Sequence, residues 1–218
     1  PNKLPMLDAL RTLYPHQVHC AHQWRCSLAL LSKHPVEAGV AQRDVLEHAP
    51  IVIARIHVEP GQIPLTVVGT HVHRPTRNPY IHELQMKRLA SIVGAVTGPV
   101  VLAGDFNAVP WSASFRRLRA HTGLKPHAQM MPTWPALPVS LPQFALDHVL
   151  LSSDLDVQGA RLGSAVGSDH YPVIVDLAPF QLVSTPPRGP QKRILHAAAP
   201  THLLPEIIAN FGREHHTP

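Results

Sequence analysis

Residues 100–112 read Val-Val-Leu-Ala-Gly-Asp-Phe-Asn-Ala-Val-Pro-Trp-Ser, an apolar run that ends in a polar turn. The run Val100–Ala103 is typical of a strand buried on both faces, and Gly104 permits a close backbone approach that a side chain would obstruct. Asp105 and Asn107 lie two residues apart, so in an extended segment their side chains project from one face. The stretch predicts a carboxylate and an amide at the end of a buried strand, although an Asx-type loop has the same composition.

Apolar periodicity on either side of this turn predicts further strands and helices. Ser112 is placed to cap a helix through Phe115 and Leu118. The Glu59-Pro60-Gly61 turn predicts that the strands flanking it form a hairpin. A proline-rich segment, residues 125–142, has the length common in binding loops. The other predicted helices are Leu4–Tyr14 and Pro79–Val96, and the predicted strands are Val18–Ala21, Ser27–Ser32, Ile51–Val58, Leu65–His71, Val100–Asp105, Phe144–Ser152, Leu155–Arg161 and Tyr171–Leu177.

Composition predicts one domain, residues 1–178, followed by a tail, residues 179–218. Hydrophobic residues make up 44% of the 218-residue chain, which supports a real core. The tail is rich in proline, histidine and alanine, and we expect it to be largely disordered. An apolar run of about 18 residues and a signal peptide are both lacking in the sequence, so the chain as given is expected to be soluble. Its compartment and oligomeric state are not indicated.

The net charge and the amino-acid composition argue against several classes of function. The net charge is +5, and two of these charges lie in the tail, so the rest is only mildly basic. Aromatic residues make up 5% of the chain, which disfavours a stacking platform for single strands and leaves a nucleic-acid-binding module as the weakest hypothesis. The Gly-x-Ser-x-Gly elbow of serine hydrolases is lacking. Cys20 and Cys26 match no zinc spacing and are interpreted as ordinary buried thiols.

Polar residues of catalytic type converge on the predicted strand ends. The sets that follow strands are Thr70-His71, Asp105 with Asn107, and Asp169-His170. Asp147 is different, because it lies inside a predicted apolar strand, where a charge is unfavourable unless it is paired. A buried carboxylate can orient a histidine that handles a proton, and His170 is the natural partner. Taken singly, Asp169 could be a cap and His71 a core histidine.

Four motifs occur together in the chain. They are Gly-Thr-His ending at His71, Gly-Asp-Phe-Asn at 104–107, Leu-Asp-His-Val at 146–149 and Gly-Ser-Asp-His-Tyr-Pro at 167–172. In order and spacing, residues 4–177 resemble the endonuclease/exonuclease/phosphatase family, which includes deoxyribonuclease-like and abasic-site nucleases and inositol and sphingolipid phosphodiesterases. The resemblance implies an α/β (α+β) fold, a four-layer α/β/β/α sandwich of two mixed sheets. It also implies phosphoester hydrolysis by water with a divalent cation, usually Mg²⁺, with Mn²⁺ as a substitute.

The family resemblance also implies a role for each site residue. His170 would be the base or a phosphate-contacting histidine held by Asp147, Asp169 would place the metal, Asn107 would bind the phosphate, Asp105 would orient water or substrate, and His71 would stabilise the phosphoryl oxygens. These roles meet the physical demand of the reaction, since its transition state needs donors or cations on the phosphoryl oxygens and a group that accepts a proton. The substrate, whether DNA, nucleotide, lipid or inositol phosphate, is left open because the family shares its phosphate-handling core.

Two elements of the family pattern are not visible. Family members begin with a strand that carries an asparagine, and the next strand ends in a glutamate that is the main metal ligand. Its equivalent would precede Pro1, so we expect an amino-terminal truncation of a longer parent protein, which could be membrane-tethered. Asp8, Glu37 and Glu47 are the nearest acids, but none ends an apolar strand. A catalytically impaired or inactive remnant of the fold is therefore the alternative to an active phosphoesterase.

Overall fold

The computed structural model describes residues 4–19, 28–42, 49–60, 62–126, 131–136 and 144–178. The predictions for Cys20, Cys26, Glu47 and the tail, residues 179–218, lie outside these residues. The elements are α1 Leu4–Ala9, β1 His16–His19, β2 Ala29–Ser32, β3 Val36–Gln42, β4 Ile51–Ile56, β5 Leu65–His71, α2 Pro79–Gly94, β6 Val100–Asp105, α3 Ala113–Thr122, β7 Lys125–Pro126, β8 Asp147–Leu151, β9 Val157–Leu162 and β10 Val173–Leu177.

A six-stranded mixed sheet with the order β3-β4-β5-β6-β8-β7 forms the centre of the described fold. Strands β5 and β6 are parallel and are connected through α2, whereas the other neighbours are antiparallel. The hairpin predicted around Glu59-Pro60-Gly61 is confirmed as β4 and β5. The α/β class with a large mixed sheet is confirmed as well.

One face of this sheet packs against α2 and α3. Leu89 and Val93 of α2 and Phe115 of α3 join Val68 and Leu102 of the sheet in one buried cluster. Burying a side chain of this size contributes about 1.5–3 kcal/mol. Both helices start where the sequence predicts, because Asn78 and Ser112 accept hydrogen bonds from backbone N–H groups of their first turns.

The opposite face is covered by two antiparallel strand pairs, β1–β2 and β9–β10. Val18 of β1 lies over Gly39 of β3, where an added Cβ would come within 2.5 Å of a Val18 methyl group. Leu151 and Leu155 form a smaller cluster on this face together with residues of the second pair. In the described residues, the second layer therefore consists of two two-stranded sheets rather than one continuous sheet.

Several predicted element bounds differ from the structure. Helix α1 ends at Ala9 rather than Tyr14 and continues as turns. Strand β8 begins at Asp147, because Phe144 forms an isolated bridge with Trp134 instead. Asp147 therefore belongs to a strand, as predicted, but it is the first residue of that strand rather than an interior one. Strands β3 and β7 were not predicted. Among the described residues, no helix has both the length and the apolar character needed to cross a bilayer.

Candidate functional site

Three neighbouring strands place polar side chains in one row at the edge of the sheet. His71 at the end of β5 is paired in register with Asp105 at the end of β6. Asp105 is in turn paired with Asp147 at the start of β8. Residues paired in register project to the same side of a sheet, so the three side chains form a row on the face covered by the strand pairs.

The turn after β6 depends on two unusual backbone positions. Gly104 has φ of 151°, and a Cβ there would lie 2.0 Å from the carbonyl oxygen of Thr70, so only glycine fits. Asn107 has φ of 46°, in the left-handed region that asparagine tolerates better than most residues. The Asp105 carboxylate supports this turn, because Oδ1 accepts from the Asn107 N–H at 2.8 Å and Oδ2 from Asn107 Nδ2 at 3.2 Å.

His170 arrives from the loop between β9 and β10 and completes the cluster. Its Nδ1 lies 2.7 Å from Asp147 Oδ2, so this nitrogen carries the proton and donates to the carboxylate. Its Nε2 then carries the lone pair and lies 4.0 Å from Asp105 Oδ2. His71 Nε2 lies 3.5 Å from the same Asp105 oxygen. The predicted pairing of Asp147 with His170 is thus present in the structure.

Burial and pairing shift the pKa values of two groups in the cluster in the same direction. Burial raises the pKa of the Asp105 carboxyl, and the nearby Asp147 charge adds to this, although the Asn107 N–H and the two histidines oppose it. The hydrogen bond to Asp147 raises the pKa of His170, and burial opposes that rise. The cluster thus favours a protonated His170 more than water does, while Asp105 holds its negative charge less readily.

A buried threonine that the sequence analysis missed joins Asp147 to the His170 loop. Thr133 is fully buried, and its Oγ1 accepts from the backbone N–H groups of Leu146 and Asp147, each at 3.2 Å. The Thr133 carbonyl accepts from Tyr171 N at 2.8 Å. One residue therefore fixes the backbone of Asp147 and the backbone next to His170. The segment was predicted only as a binding loop, and no spacing rule singles out its threonine.

A second histidine next to Asp147 lies in the core beneath the turn. His148 is 3% exposed, and its Nε2 donates to the Ala108 carbonyl at 2.8 Å. Its ring packs 4.2 Å from the ring centroid of Phe115. Burial lowers the pKa of His148, so the neutral form that donates to Ala108 is favoured. His148 thereby holds the backbone directly after the strained Asn107.

Two cavities flank His170. The first has a volume of about 430 Å³ and is lined by Asn107, His170 and Arg74 together with the aromatic pair Trp134 and Phe144. The two aromatic rings are stacked with centroids 6.4 Å apart. The second, about 370 Å³, is lined by Gly104, Asp147 and His170 among other residues. His170 therefore borders both cavities.

Among the described residues, Asp105, Asp147 and His170 form the group whose side-chain ligand atoms lie within 4.8 Å of one another. Two carboxylates suit Mg²⁺, which is commonly held by one or two protein carboxylates and several waters. The donor set therefore fits a hard divalent cation. Asp169, predicted as the metal ligand, is exposed and is not part of this group, and its carbonyl accepts from Ala136 N.

The acids considered in the sequence as equivalents of the family's glutamate ligand lie elsewhere. Asp8 forms an exposed ion pair with Arg11, and Glu37 pairs with Arg55 and His57 on the surface. Neither side chain belongs to the cluster.

The structure brings together five of the six predicted site residues. His71, Asp105, Asn107, Asp147 and His170 form one connected set of hydrogen bonds and close polar contacts. The roles assigned to these five residues, and to Asp169, stay predictions.

Comparisons with known proteins identify the family and the fold of the chain. The sequence profile described as "Endonuclease/Exonuclease/phosphatase family" matches residues 2–170. No curated protein sequence matches the chain. The fold is similar to that of an endonuclease/exonuclease/phosphatase from Bacteroides vulgatus, with 14% identity, a TM-score of 0.67 and coverage of 81% of this chain and 80% of that one.

Two further solved structures share the fold. Sphingomyelinase C from Streptomyces griseocarneus has 18% identity and a TM-score of 0.57, with 78% of this chain and 80% of that one covered. A mutant of beta toxin from Staphylococcus aureus with bound magnesium ions has 17% identity and a TM-score of 0.56, with coverage of 77% and 79%. At these identities the similarity establishes the fold alone. Since the family profile spans most of the sequence, the chain belongs to the endonuclease/exonuclease/phosphatase family.

Proposed function

We propose that this protein hydrolyses phosphoesters with water in the presence of a divalent cation, Mg²⁺ or Mn²⁺. The observation that carries the proposal is the pair formed by His170 Nδ1 and Asp147 Oδ2 at 2.7 Å, which leaves His170 Nε2 facing Asp105. A histidine in this state can accept a proton from water, and the carboxylate stabilises the imidazolium that forms. The raised pKa of His170 has the direction that this role requires.

The neighbouring side chains provide donors for a phosphoryl group. Asn107 Nδ2 donates one hydrogen to Val72 O at 2.9 Å, which fixes the amide, and the other to Asp105 Oδ2. A phosphate oxygen would accept the second of these hydrogens in place of Asp105. His71 has a side chain that is 43% exposed beside Asp105, so it can donate to another phosphoryl oxygen. Asp105 would orient the water or the substrate.

A divalent cation would be held by the carboxylates of Asp105 and Asp147, and Asp169 in the adjoining loop would add a further oxygen ligand. When bound, the cation would supply Lewis-acid stabilisation of the phosphoryl oxygens. The magnesium ions in the similar beta toxin structure support this assignment. The same carboxylates support Mn²⁺ as a substitute, because it also prefers oxygen ligands.

The chemistry of the substrate beyond its phosphoester bond stays open. The family name covers endonucleases, exonucleases and phosphatases, and the similar solved structures include a sphingomyelinase C. DNA or another nucleic acid is one candidate partner, and lipid or inositol phosphates are others.

The test is hydrolysis of bis(p-nitrophenyl) phosphate and of plasmid DNA with Mg²⁺ or Mn²⁺. We expect activity that EDTA abolishes and that His170→Ala reduces by about 10²–10⁴-fold. His57→Ala is the matched control, because His57 Nε2 also pairs with a carboxylate, Glu37 Oε2 at 3.1 Å, but on the exposed surface. Activity that survives both EDTA and His170→Ala would overturn the proposal.

An impaired remnant of the same fold is the second candidate. It is favoured by the donor set, since the described cluster contains two aspartates and no glutamate. Isothermal titration with Mg²⁺ and Mn²⁺ separates the two candidates. A folded chain that neither binds these ions nor hydrolyses either substrate supports the remnant, whereas binding with turnover supports the enzyme.

A further inference from the structure

The two residues that follow His71 have every backbone polar group engaged. Val72 N donates to Asp105 O at 2.8 Å, and Val72 O accepts from Asn107 Nδ2 at 2.9 Å. His73 N donates to Gln85 Oε1 at 2.8 Å, and His73 O lies 2.8 Å from His82 Nδ1. Val72 is thus bonded to the phosphate site, and His73 is bonded to helix α2. A displacement of His73 would pass directly to Val72 and its partners.

His82 connects two segments that are far apart in the sequence, around His73 and Ser114. The residue is 5% exposed, and a carbonyl can only accept, so Nδ1 carries the proton that is donated to His73 O. Its Nε2 therefore accepts from Ser114 Oγ, 3.2 Å away in the first turn of α3. Ser114 Oγ is itself 3.4 Å from the capping Ser112 Oγ. One imidazole ring thereby joins the segment after β5 to the start of α3.

Both segments continue into the lining of the 430 Å³ cavity that opens onto Asn107 and His170. Residues 74–76, which follow His73, line the cavity together with residues 108, 109, 112 and 114 and with His82 itself. A ring bonded to both segments fixes their spacing. Apolar contacts alone would hold the segments together but would leave the position of the His73 carbonyl less defined, because they are not directional.

We propose that His82 is a positioning residue for phosphoester hydrolysis: it joins the segment after β5 to the start of α3 beside the site and, through His73 and Val72, fixes the orientation of Asn107 and His71. This inference rests on the proposed function, because the residues that it positions are those assigned to the phosphoryl oxygens. His82 does not itself contact the reacting atoms. Its effect is therefore expected in kcat more than in KM, because a small misplacement of groups that bind the transition state slows the chemical step.

The experiment compares three variants of the full chain. His82→Leu removes both hydrogen bonds, whereas Ser114→Ala removes only the bond to α3. His82→Asn keeps a donor near the position of Nδ1, because the Asn amide nitrogen can replace it toward His73 O. We expect His82→Leu to lower kcat for bis(p-nitrophenyl) phosphate by about tenfold to a hundredfold with a smaller change in KM, and His82→Asn to recover most of the loss. Ser114→Ala should fall between them.

Ser152→Ala is the matched control for the loss of a hydrogen bond. Ser152 Oγ accepts from Val100 N at 2.8 Å at the other end of strands β6 and β8. Activities are compared at equal folded fraction, measured by urea unfolding. If Ser152→Ala lowers kcat as much as His82→Leu, or if His82→Asn is no better than His82→Leu, the effect is one of general stability and the proposal fails.

A readout that needs no turnover separates this inference from the proposed function. Hydrogen exchange at the Val72 amide, and the shift of the Asn107 side-chain amide on titration with inorganic phosphate, are measured by NMR. We expect His82→Leu to speed that exchange and to weaken phosphate binding, with Ser114→Ala intermediate. A parent chain without hydrolysis contradicts the proposed function only, whereas unchanged exchange and unchanged phosphate binding in His82→Leu overturn the role of His82.

Discussion

The two histidines nearest Asp147 lie in opposite environments. The His170 side chain is 17% exposed and donates to a carboxylate, and this partner raises its pKa. His148 is 3% exposed, packs against the ring of Phe115 and donates to a carbonyl, and burial lowers its pKa. The first environment stabilises the charged imidazole, and the second excludes it.

This difference distinguishes side chains at the edge of the sheet from the buried side chains beneath the turn after β6, which support that edge. Side chains at the edge, such as His170 and Asp147, are partly exposed and bonded to one another, so their loss should affect chemistry more than folding. Side chains beneath the turn bond to buried backbone groups, as His148 does to the Ala108 carbonyl. Their loss should affect folding more than chemistry.

The largest effect is expected for Asp147→Asn. The amide cannot accept the Nδ1 proton of His170 in the way a carboxylate does, so the imidazole loses its orientation and the stabilisation of its charged form. We expect kcat/KM for bis(p-nitrophenyl) phosphate to fall by about 10²–10⁴-fold. The free energy of unfolding should change little, because this pair lies at the partly exposed edge of the sheet.

NMR titration of His170 supplies the direct check on Asp147→Asn. Because the hydrogen bond to Asp147 is the largest cause of the raised pKa, the pKa of His170 should fall in the variant. Glu37→Gln is the control, since it breaks the surface pair with His57 without touching the cluster. An Asp147→Asn enzyme with parent activity would show that the pair has no part in the reaction.

A smaller effect, on folding, is expected for His148→Leu. Leucine retains apolar packing against Phe115, but the buried Ala108 carbonyl loses its side-chain donor. Leaving such a group unsatisfied destabilises a protein by about 1–3 kcal/mol. Urea unfolding should show this loss, with a smaller one for His170→Leu at neutral pH. Equal losses in the two variants would remove the distinction between edge and support.

The sequence was most informative where local pattern and chemistry coincide. Residues 100–107 combine an apolar run, a glycine and two polar side chains, and the structure has a buried strand and a turn there, with φ of 151° at Gly104. The pairing of Asp147 with His170 followed from the rule that a buried carboxylate needs a partner. The first prediction depends on conformational preferences that act within a few residues. The second depends on the large free-energy cost of burying an unpaired charge.

Contacts between segments that are distant in the sequence could not be predicted from local sequence patterns. Thr133 acts through backbone groups of Leu146 and Tyr171, and His82 through His73 and Ser114, so neither has a signal in its own neighbourhood. Strand β3, Val36–Gln42, lacks large alternating side chains, and its pairing with β4 comes from the sheet as a whole. The early end of α1 at Ala9 likewise overrides an apolar spacing that continues to Leu13.

The smallest effect is expected in the pH dependence of stability, where the two histidines should oppose each other. The pKa of His148 is lowered in the folded state, so its contribution is lost as pH falls below the ordinary histidine value of about 6.5, where the unfolded state takes up the proton first. The pKa of His170 is raised, so its contribution is fully present below that value and is lost as pH rises through the folded pKa. Each slope is at most about 1.4 kcal/mol per pH unit.

Between pH 7.5 and 5.5, urea unfolding should therefore show that His148→Leu loses less stability on acidification than the parent, and that His170→Leu loses more. Parallel curves for all three proteins would mean that the two imidazoles do not differ in the way their surroundings indicate.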